Sequence, residues 1–366
     1  MTLETADSHC DVAAKENSPG GLHRFAVAIA VVTFVAVVLG GAVTSTDSSL
    51  ADPHWPSFGG RWYPDLSRML DHPGLFLEHG HRLLIGVVGI SVVVLAFLLF
   101  LPGGNRGREG MSRSELGKVR SLSVAAVVLV IVAAVLGGLT VRWGKSTPLS
   151  IVHSGIAMLI VSVVVSLAVT TGPRWFSEPT RLEARSARRL LAFCVAALGT
   201  VYVQIILGAI PRHATEEVGG SRLVLIGDAI HIVWAFVVFG VLIVTFLEMN
   251  RELRKVGPVF RPALVLILLL VVQLFLGLSA FVTQPKDPPS REVLAAAAET
   301  DRKGPAETLP RSSSGVHELS ASTHQAVGVL MLITSVVLTL RTGRIYNLSV
   351  RPAGPARDRE NSEGSV

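Results

Sequence analysis

Charged residues are scarce in this chain. Only 16% of its 366 residues are Asp, Glu, Lys or Arg, whereas soluble domains carry about 25%. The mean hydropathy is +0.54, and the missing charge is concentrated in apolar stretches of about twenty residues, each long enough to cross about 30 Å of hydrocarbon. This composition excludes an ordinary soluble domain and predicts a multi-pass membrane protein in contact with lipid.

Cysteine is nearly absent as well. The two cysteines, Cys10 in the polar N-terminal tail and Cys194 in an apolar stretch, provide neither a disulfide framework nor a CxxC metal motif. The net charge of +6 does not indicate nucleic acid as a partner, because the basic residues lie in short loops between apolar stretches. That distribution is the topology signal of a membrane protein.

Several apolar stretches are long enough to cross a membrane. There are eight of them: 24–45, 79–101, 121–141, 149–171, 188–210, 225–247, 261–283 and 320–340. Each must form a helix, because a backbone within hydrocarbon has to satisfy its own hydrogen bonds. The stretches are continuously apolar rather than alternating, which excludes a membrane β-barrel. The predicted fold is therefore an all-α integral membrane protein of eight transmembrane helices.

Basic residues are distributed unevenly between the two predicted sides of the membrane. Three loops carry five, five and four Lys or Arg residues, namely 102–120, 172–189 and 248–261. Three loops on the other side carry two each, and the fourth, 284–319, carries five but is long and therefore weighs less. Because loops rich in Lys and Arg stay in the cytoplasm, both termini are predicted to be cytoplasmic.

A short pattern built on a glycine recurs near the end of each odd-numbered span. Its four versions are Val38-Leu39-Gly40-Gly41, Val135-Leu136-Gly137-Gly138, Ile206-Leu207-Gly208-Ala209 and Phe275-Leu276-Gly277-Leu278. Each is followed by a loop and then by a span with a histidine near its start. Glycine in such a helix allows close approach of another helix or of a flat macrocycle.

The first two repeats differ from the last two. Four residues before the glycine, the first two carry Ala36 and Ala133, and the last two carry Gln204 and Gln273. The helices are therefore predicted to form two pseudo-symmetric four-helix bundles. The predicted division is a cytoplasmic N-terminal tail 1–22, a first bundle 23–172, a cytoplasmic linker 173–190, a second bundle 191–342 with a mobile loop 284–318, and a disordered cytoplasmic tail 343–366.

Histidines on four of the spans are the strongest candidates for chemistry. A single intramembrane histidine is as often an interhelical hydrogen-bond donor as a ligand, but ionisable residues within spans are costly and indicate function. In a four-helix bundle the second and fourth helices can face each other, so one histidine from each can supply two axial ligands to haem iron. This predicts two haem sites, His81 with His153 and His231 with His324. Zinc fits poorly, because it wants four closely spaced ligands.

The run Glu78-His79-Gly80-His81-Arg82 is the most specific feature. Glu78 and His81 are three residues apart and share a helix face, so the carboxylate can orient the imidazole or accept a proton from the bound haem. His79 stays open as an alternative ligand to His81. Arg82 matches the geometry of a haem propionate, and the plainer alternative is an interfacial pair with Glu78 that caps the span.

These residues carry a resemblance to a known family. The chain is similar to the haem A synthases across roughly residues 22–342. The matching elements are Gly40-Gly41-Ala42-Val43-Thr44, Asp52-Pro53-His54-Trp55-Pro56, Glu78-His79-Gly80-His81-Arg82 and the single histidines His153, His231 and His324. The Glu-x-x-His-Arg motif and the Pro-x-Trp-Pro loop are specific in combination, and neither is specific alone.

The resemblance implies an oxidoreductase that converts haem O to haem A, oxidising the C8 methyl of the porphyrin to a formyl group for the assembly of cytochrome oxidase. It implies that His81 and His153 flank the substrate haem, with Glu78 catalytic, and that His231 and His324 ligate a haem b cofactor. It also implies a multi-pass protein of the bacterial inner membrane. Haem O synthase is then a candidate donor of the substrate, and a homo-oligomer is compatible with this picture.

The chain departs from the family pattern in its first loop. Many members carry two cysteines around the Pro-x-Trp-Pro motif; the equivalent positions here are Asp52 and Phe58, so a mechanism that needs a thiol in this loop cannot operate. The Arg and Gly that usually follow the first glycine pair are replaced, giving Thr44-Ser45-Thr46-Asp47. Arg142 and Arg212 stand at helix ends, where a propionate contact and an interfacial anchor are equally compatible.

Other functions fit the same residues less well. A transmembrane di-haem b-type cytochrome, acting only in electron transfer, would use the four histidines, but it needs no carboxylate such as Glu78 beside one iron. A transporter with inverted repeats and sites at the midplane of the membrane is disfavoured. The four repeats keep one orientation, and their histidines lie near one face.

Overall fold

The computed structural model describes residues 20–101, 111–143, 146–176, 182–214, 220–254, 256–284 and 315–350. Ten helices account for most of this part of the chain. In order they are α1 (Gly21–Ser45), α2 (Leu66–Asp71), α3 (Pro73–Phe100), α4 (Arg113–Arg142), α5 (Thr147–Thr170), α6 (Pro173–Phe176), α7 (Ala184–His213), α8 (Gly220–Leu253), α9 (Gly257–Val282) and α10 (Gly315–Val350).

The prediction of eight membrane-spanning helices is confirmed. All the helices except α2 and α6 are long and apolar enough to cross a membrane, which makes eight among the described residues. Within the same ranges the only β-type pairing is an isolated antiparallel bridge between Phe58 and Arg61. The fold class is therefore all-α, and the chain is a multi-pass membrane protein.

The helices of each half contact one another in a closed ring. In the first half α1 packs on α3 and α5, and α4 packs on both α3 and α5. In the second half α7 packs on α8 and α10, and α9 packs on the same two helices. The halves meet through α1 and α5 on one side and α7 and α10 on the other. The pseudo-symmetry of the two halves and the cytoplasmic location of the termini stay predictions.

Large apolar side chains cover the outside of these rings. Ile90 on α3 is 70% exposed, and Phe236 on α8 and Phe275 on α9 are 75% and 70% exposed. A soluble protein rarely exposes contiguous apolar surface on this scale, whereas the hydrocarbon of a bilayer solvates it. The helices therefore have apolar residues on both their lipid-facing and inward-facing sides, which is why the sequence shows continuous apolar runs rather than an amphipathic pattern.

Local sequence signals define where several helices begin. Ser112 and Glu115 form a capping box at the start of α4: the Glu115 N–H donates to Ser112 Oγ at 3.2 Å, and the Ser112 N–H donates to Glu115 Oε2 at 2.9 Å. Pro73 is the first residue of α3, a position where the missing N–H of proline costs nothing. Asp65 caps α2, with its side chain accepting from the Arg68 N–H.

The structure corrects the predicted boundaries at the C-terminal end. Helix α10 covers 315–350, so 315–318, predicted as loop, and 343–350, predicted as disordered, are helical. This segment is polar in sequence, yet it packs against the rest of the protein. Ile345 is buried, and Arg344 pairs with Glu115 at 3.3 Å and stacks over the ring of Trp175. The predicted linker 173–190 likewise contains α6 and the start of α7. The rest of the loop and tail, and Cys10, lie outside the described residues.

Candidate functional site

Each of the four predicted histidines lies against the glycine of the preceding repeat element. A Cβ atom added to that glycine would meet the Cε1 atom of the imidazole at a distance that real Cβ contacts rarely show. The distances are 2.7 Å for His81 at Gly40, 3.1 Å for His153 at Gly137, 2.8 Å for His231 at Gly208 and 2.9 Å for His324 at Gly277. The sequence repeat is therefore a repeated structure, a glycine notch that receives an imidazole from the next spanning helix.

The two imidazoles of the second half face each other. The ring centroids of His231 and His324 are 6.2 Å apart with an interplanar angle of 74°. A metal–imidazole nitrogen bond is about 2 Å long, so two imidazoles that ligate one metal from opposite sides have centroids about 6 Å apart. The observed separation therefore fits a pair of axial ligands to a single iron.

Glutamine side chains approach the nitrogen atoms that would ligate this iron. The Gln204 amide nitrogen lies 3.3 Å from His231 Nε2 and donates to the His231 carbonyl at 3.1 Å, and that of Gln273 lies 3.3 Å from His324 Nε2. An amide nitrogen can only donate, so Nε2 accepts and carries the lone pair that coordination requires. The backbone of Gln204 also contacts the His231 ring, and that of Gln273 contacts the His324 ring.

The imidazoles of the first half have the same kind of backbone contact but no glutamine beside them. His81 Nδ1 lies 2.9 Å from the Ala36 carbonyl and donates to it, which leaves the lone pair on Nε2. The His153 ring contacts the backbone of Ala133, the equivalent residue of the second repeat. The residues equivalent to the glutamines are Ala36 and Ala133, so no amide is available at these positions to contact either Nε2 atom.

The described residues offer no site for a metal ion held by side chains alone. Among the described residues, three or more His, Cys, Asp or Glu side chains never come close enough together to hold one. In the second half the candidate donors are instead the neighbouring imidazoles of His231 and His324. Such a pair fits an iron that receives its other ligands from a macrocycle.

Glu78 is buried one helical turn before His81. Its side chain is 3% exposed. Oε2 accepts from the Asp52 N–H at 2.7 Å, and Oε1 accepts from Arg82 Nη2 at 2.5 Å. Glu78 and Arg82 are four residues apart on α3, so the helix itself brings them together. The predicted pairing of these two side chains is therefore present, and both oxygens of the carboxylate are held in place.

Asp52 contacts His79, the alternative to His81 as an iron ligand in the sequence analysis. Its Oδ2 atom lies 2.9 Å from His79 Nε2 and accepts from the Gly59 N–H at 2.7 Å. Its Oδ1 atom accepts from the His54 N–H at 3.0 Å and contacts His54 Nδ1 at 2.9 Å. His79 thus donates its Nε2 proton to a carboxylate in the first loop, and the glycine notch is left to His81.

The charge of Asp52 is stabilised despite its burial. Burial alone would raise the pKa of this carboxyl group, but hydrogen bonds from the His54 backbone, the His79 side chain and the Gly59 backbone lower the pKa to about 2. The carboxylate is only 3% exposed. Asp52 is therefore a buried anion near neutral pH, compensated by donors from the first loop and from α3.

The three arginines predicted as propionate contacts occupy different environments. Arg82 donates to Glu78, to the Asp52 carbonyl at 2.6 Å and to the Ser57 carbonyl at 3.0 Å, so it is committed to the first loop. Arg142 is exposed at the end of α4. Arg212 is partly buried, and its Nη2 atom donates to the Gly41 carbonyl and to Ser45 Oγ, both at 2.6 Å.

Two residues that sequence reasoning missed fill the second position of the glycine pairs. The Trp55 indole lies so close to Gly138 that an added Cβ would overlap it, and the Gln325 side chain lies equally close to Gly41. The signal that could have found them is the second glycine itself. It is present in the first two repeats, whereas Ala209 and Leu278 replace it in the last two.

A family comparison covers the first of these sites. Residues 71–217 match the family model COX15-CtaA, described as cytochrome oxidase assembly protein. Over this segment the chain is similar to the COX15-CtaA proteins. The matched segment contains Glu78, His81, Arg82 and His153, and it ends before His231. The COX15-CtaA match therefore covers the first pair of histidines but not the second.

Several haem A synthases are similar to about half of the chain. The chain is 27% identical over 190 residues to the haem A synthase of Geobacillus thermodenitrificans, covering 51% of this chain and 55% of that one. It is 29% identical over 201 residues to that of Lysinibacillus sphaericus (54% and 59%) and 28% identical over 196 residues to that of Bacillus pumilus (52% and 59%). The chain spans somewhat more than half the length of these haem A synthases.

The glycine notch makes a prediction about stability. Gly208→Ala places a methyl group 2.8 Å from His231 Cε1, and we expect overpacking to lower the free energy of unfolding by about 1–3 kcal/mol. Gly199→Ala, in the same helix but with nothing within 4 Å, is the matched control and should raise it by about 0.5–1 kcal/mol. Thermal unfolding of the purified variants in detergent measures both. Equal effects of the two substitutions would contradict a notch at Gly208.

Proposed function

We propose that the chain is a haem A synthase, an oxidoreductase that oxidises the C8 methyl of haem O to a formyl group and so supplies haem A for cytochrome oxidase assembly. The observation that carries the proposal is Glu78. It is a buried carboxylate one turn before His81, and both residues fall within the segment related to cytochrome oxidase assembly proteins. The similarity to named haem A synthases agrees with this activity.

The proposed roles follow the difference between the two pairs of histidines. His81 and His153 hold the substrate haem, because their half of the protein carries Glu78, which Arg82 and the Asp52 N–H hold in place. His231 and His324 hold haem b as a cofactor, whose iron supplies one-electron redox chemistry when bound. The 6.2 Å separation of their rings supports this assignment. In the second half the residue three positions before His324 is Ala321, and that before His231 is Asp228, a shorter carboxylate that hydrogen-bonds with Gln284 rather than with an arginine.

Glu78 acts on the substrate in this proposal. Oxidation of a methyl to a formyl group, with water supplying the oxygen atom, releases protons and electrons. A carboxylate beside the reacting carbon can accept the protons, and an external electron acceptor would receive the electrons. The hydrogen bonds from the Asp52 N–H and from Arg82 fix the direction in which its oxygens point. His81 Nδ1 donates to the Ala36 carbonyl, which presents Nε2 to the iron of the substrate.

Arg212 is the strongest of the proposed propionate contacts. Its described partners, the Gly41 carbonyl and Ser45 Oγ, are both neutral, so they do not compensate its charge. It lies beside the glycine pair that receives His81, and it interacts electrostatically with His324. A partly buried cation between two proposed haem sites favours an anionic group of the ligand as its partner.

The remaining assignments follow from the membrane location. We place the protein in the bacterial inner membrane as a multi-pass protein, with haem O as substrate and haem O synthase as a candidate donor. A homo-oligomer is compatible with the extensive apolar surface. The competing function is a di-haem b-type cytochrome that only transfers electrons, and the equal packing of all four imidazoles against glycine favours it as the alternative.

The activity is tested by pigment extraction. We expect cells that make haem O and express this chain to accumulate haem A, because the proposed reaction converts one into the other. The same cells with an empty vector are the control, and chromatography of the extracted haems is the measurement. Unchanged haem O together with a normal bis-histidine spectrum of the purified protein would show that the chain is a cytochrome only.

Glu78 has a separate test. We expect Glu78→Gln to keep both haems bound but to lower the rate of haem A formation by about 100-fold or more, since general acid–base catalysis contributes about that factor. Glu183→Gln, an exposed carboxylate at the start of α7, is the control and should leave the rate unchanged. The rate and the bound haem are measured on the same preparations. A Glu78→Gln protein with full activity rules out the catalytic role of this residue.

The division of roles between the two pairs predicts which haem remains without substrate. In cells that cannot make haem O, the purified protein should retain haem b held by His231 and His324. His231→Ala and His324→Ala should each abolish this haem, whereas His81→Ala and His153→Ala should leave it in place. Absorbance spectra and haem content per chain measure the outcome. Loss of the retained haem from His81→Ala alone would reverse the assignment.

A further inference from the structure

Asp52 connects the first loop, residues 46–65, to α3 through every polar group it has. Its N–H donates to Glu78, its carbonyl accepts from Arg82, and its carboxylate accepts from His79. Arg82 Nη1 lies 3.5 Å from Oδ2 as a further ion pair. A single loop residue thus contacts the three polar side chains that surround the position of His81 in the sequence.

The carboxylate of Asp52 also organises the loop itself. It accepts the backbone N–H groups of His54 and Gly59 on its two separate oxygens. Phe58, between them, packs edge-on against the His79 ring with centroids 5.0 Å apart. The segment 52–59 is therefore folded around one buried anion, and its hydrogen bonds position both the loop and α3.

A second contact holds the same loop against the other histidine of the first half. Trp55 packs on Gly138, the neighbour of the glycine that receives His153. The segment from Asp52 to Trp55 therefore bridges α3, which carries His81, and α4, which carries the notch for His153. A displacement of this loop would alter the surroundings of both histidines.

We propose that Asp52 is a positioning residue of the reaction, which holds the first loop between the two histidines of the first half and fixes the direction of the Glu78 carboxylate. The inference rests on the proposed function for its effect on turnover. Its structural part, the attachment of the loop to α3, stands independently. Asp52 itself need not contact the substrate, because it acts through Glu78, His79 and Arg82.

The role requires a carboxylate rather than any polar residue. Each oxygen of Asp52 accepts a backbone N–H, from His54 at one and from Gly59 at the other. Asn in this position has one oxygen and one NH₂ group. In either orientation the NH₂ group would therefore face a backbone N–H, and one hydrogen bond of the loop would become a contact between two donors.

The test compares Asp52→Asn with Asp71→Asn in the full-length protein. Asp71 is an exposed carboxylate at the end of α2, so its substitution controls for the loss of one negative charge nearby. We expect Asp52→Asn to lower kcat for haem A formation by about 100-fold, as a small misplacement of a catalytic group does, with little change in KM. Asp71→Asn should match the unsubstituted protein.

Hydrogen exchange supplies a readout that does not depend on activity. The amides of Asp52, His54 and Gly59 should exchange faster in Asp52→Asn and at the normal rate in Asp71→Asn, while the haem b spectrum stays the same. If the unsubstituted protein makes no haem A but Asp52→Asn still speeds exchange, the proposed function is refuted and the attachment of the loop by Asp52 is supported. Normal exchange, or a normal kcat, in Asp52→Asn overturns the positioning role.

A second pair of variants covers the case in which Asp52→Asn does not fold. His79→Gln keeps a donor facing Asp52, and His79→Leu removes it. We expect kcat and amide exchange to remain close to normal in His79→Gln and to change in His79→Leu in the direction expected for Asp52→Asn. Equal behaviour of the two variants would refute the inference, because the donor to Asp52 would then be irrelevant.

Discussion

The contact between a helical glycine and an imidazole is the constraint on which the arrangement of this protein depends. Within a membrane the backbone groups of each span are already satisfied, so helices can be joined in defined registers only by packing and by a few polar side chains. At four helix crossings the imidazole occupies the space that a Cβ would otherwise fill. The crossing therefore fixes the distance between the helices and the position of the histidine together.

The same constraint is used in two ways. In the second half Gln204 and Gln273 donate toward the Nε2 atoms of His231 and His324, and these contacts lie between spanning helices. In the first half alanines replace the glutamines, and the helix that carries His81 is instead bound through Glu78 to the loop around Asp52. The loop around Asp52 thus contributes to the first site, and a site built partly from a loop suits a ligand that enters and leaves, which agrees with the proposed role of substrate.

The features that depend on periodicity could be predicted from the sequence. Contacts between residues far apart in the chain could not. Eight spans, the glycine repeat and the four histidines follow from local patterns. The choice between His79 and His81 does not, because it depends on Asp52, which is 27 residues from His79. Trp55 and Gln325 were missed because their glycine partners become neighbours only when the helices cross. The extension of α10 to Val350 was missed because the polar residues around Ile345 conceal its burial.

The arginines show how charge balance distinguishes residues that look equivalent in the sequence. Arg82 lies beside two carboxylates, those of Glu78 and Asp52, so its charge is compensated before any ligand binds, and an added anion would have to displace one of them. Arg212 has only neutral partners among the described residues, in a setting where an uncompensated cation is costly. An anionic ligand group therefore stabilises the protein more at Arg212 than at Arg82. Because Arg212 donates to Gly41, next to the notch of His81, binding there would also strengthen the contact between α7 and α1 that joins the two halves.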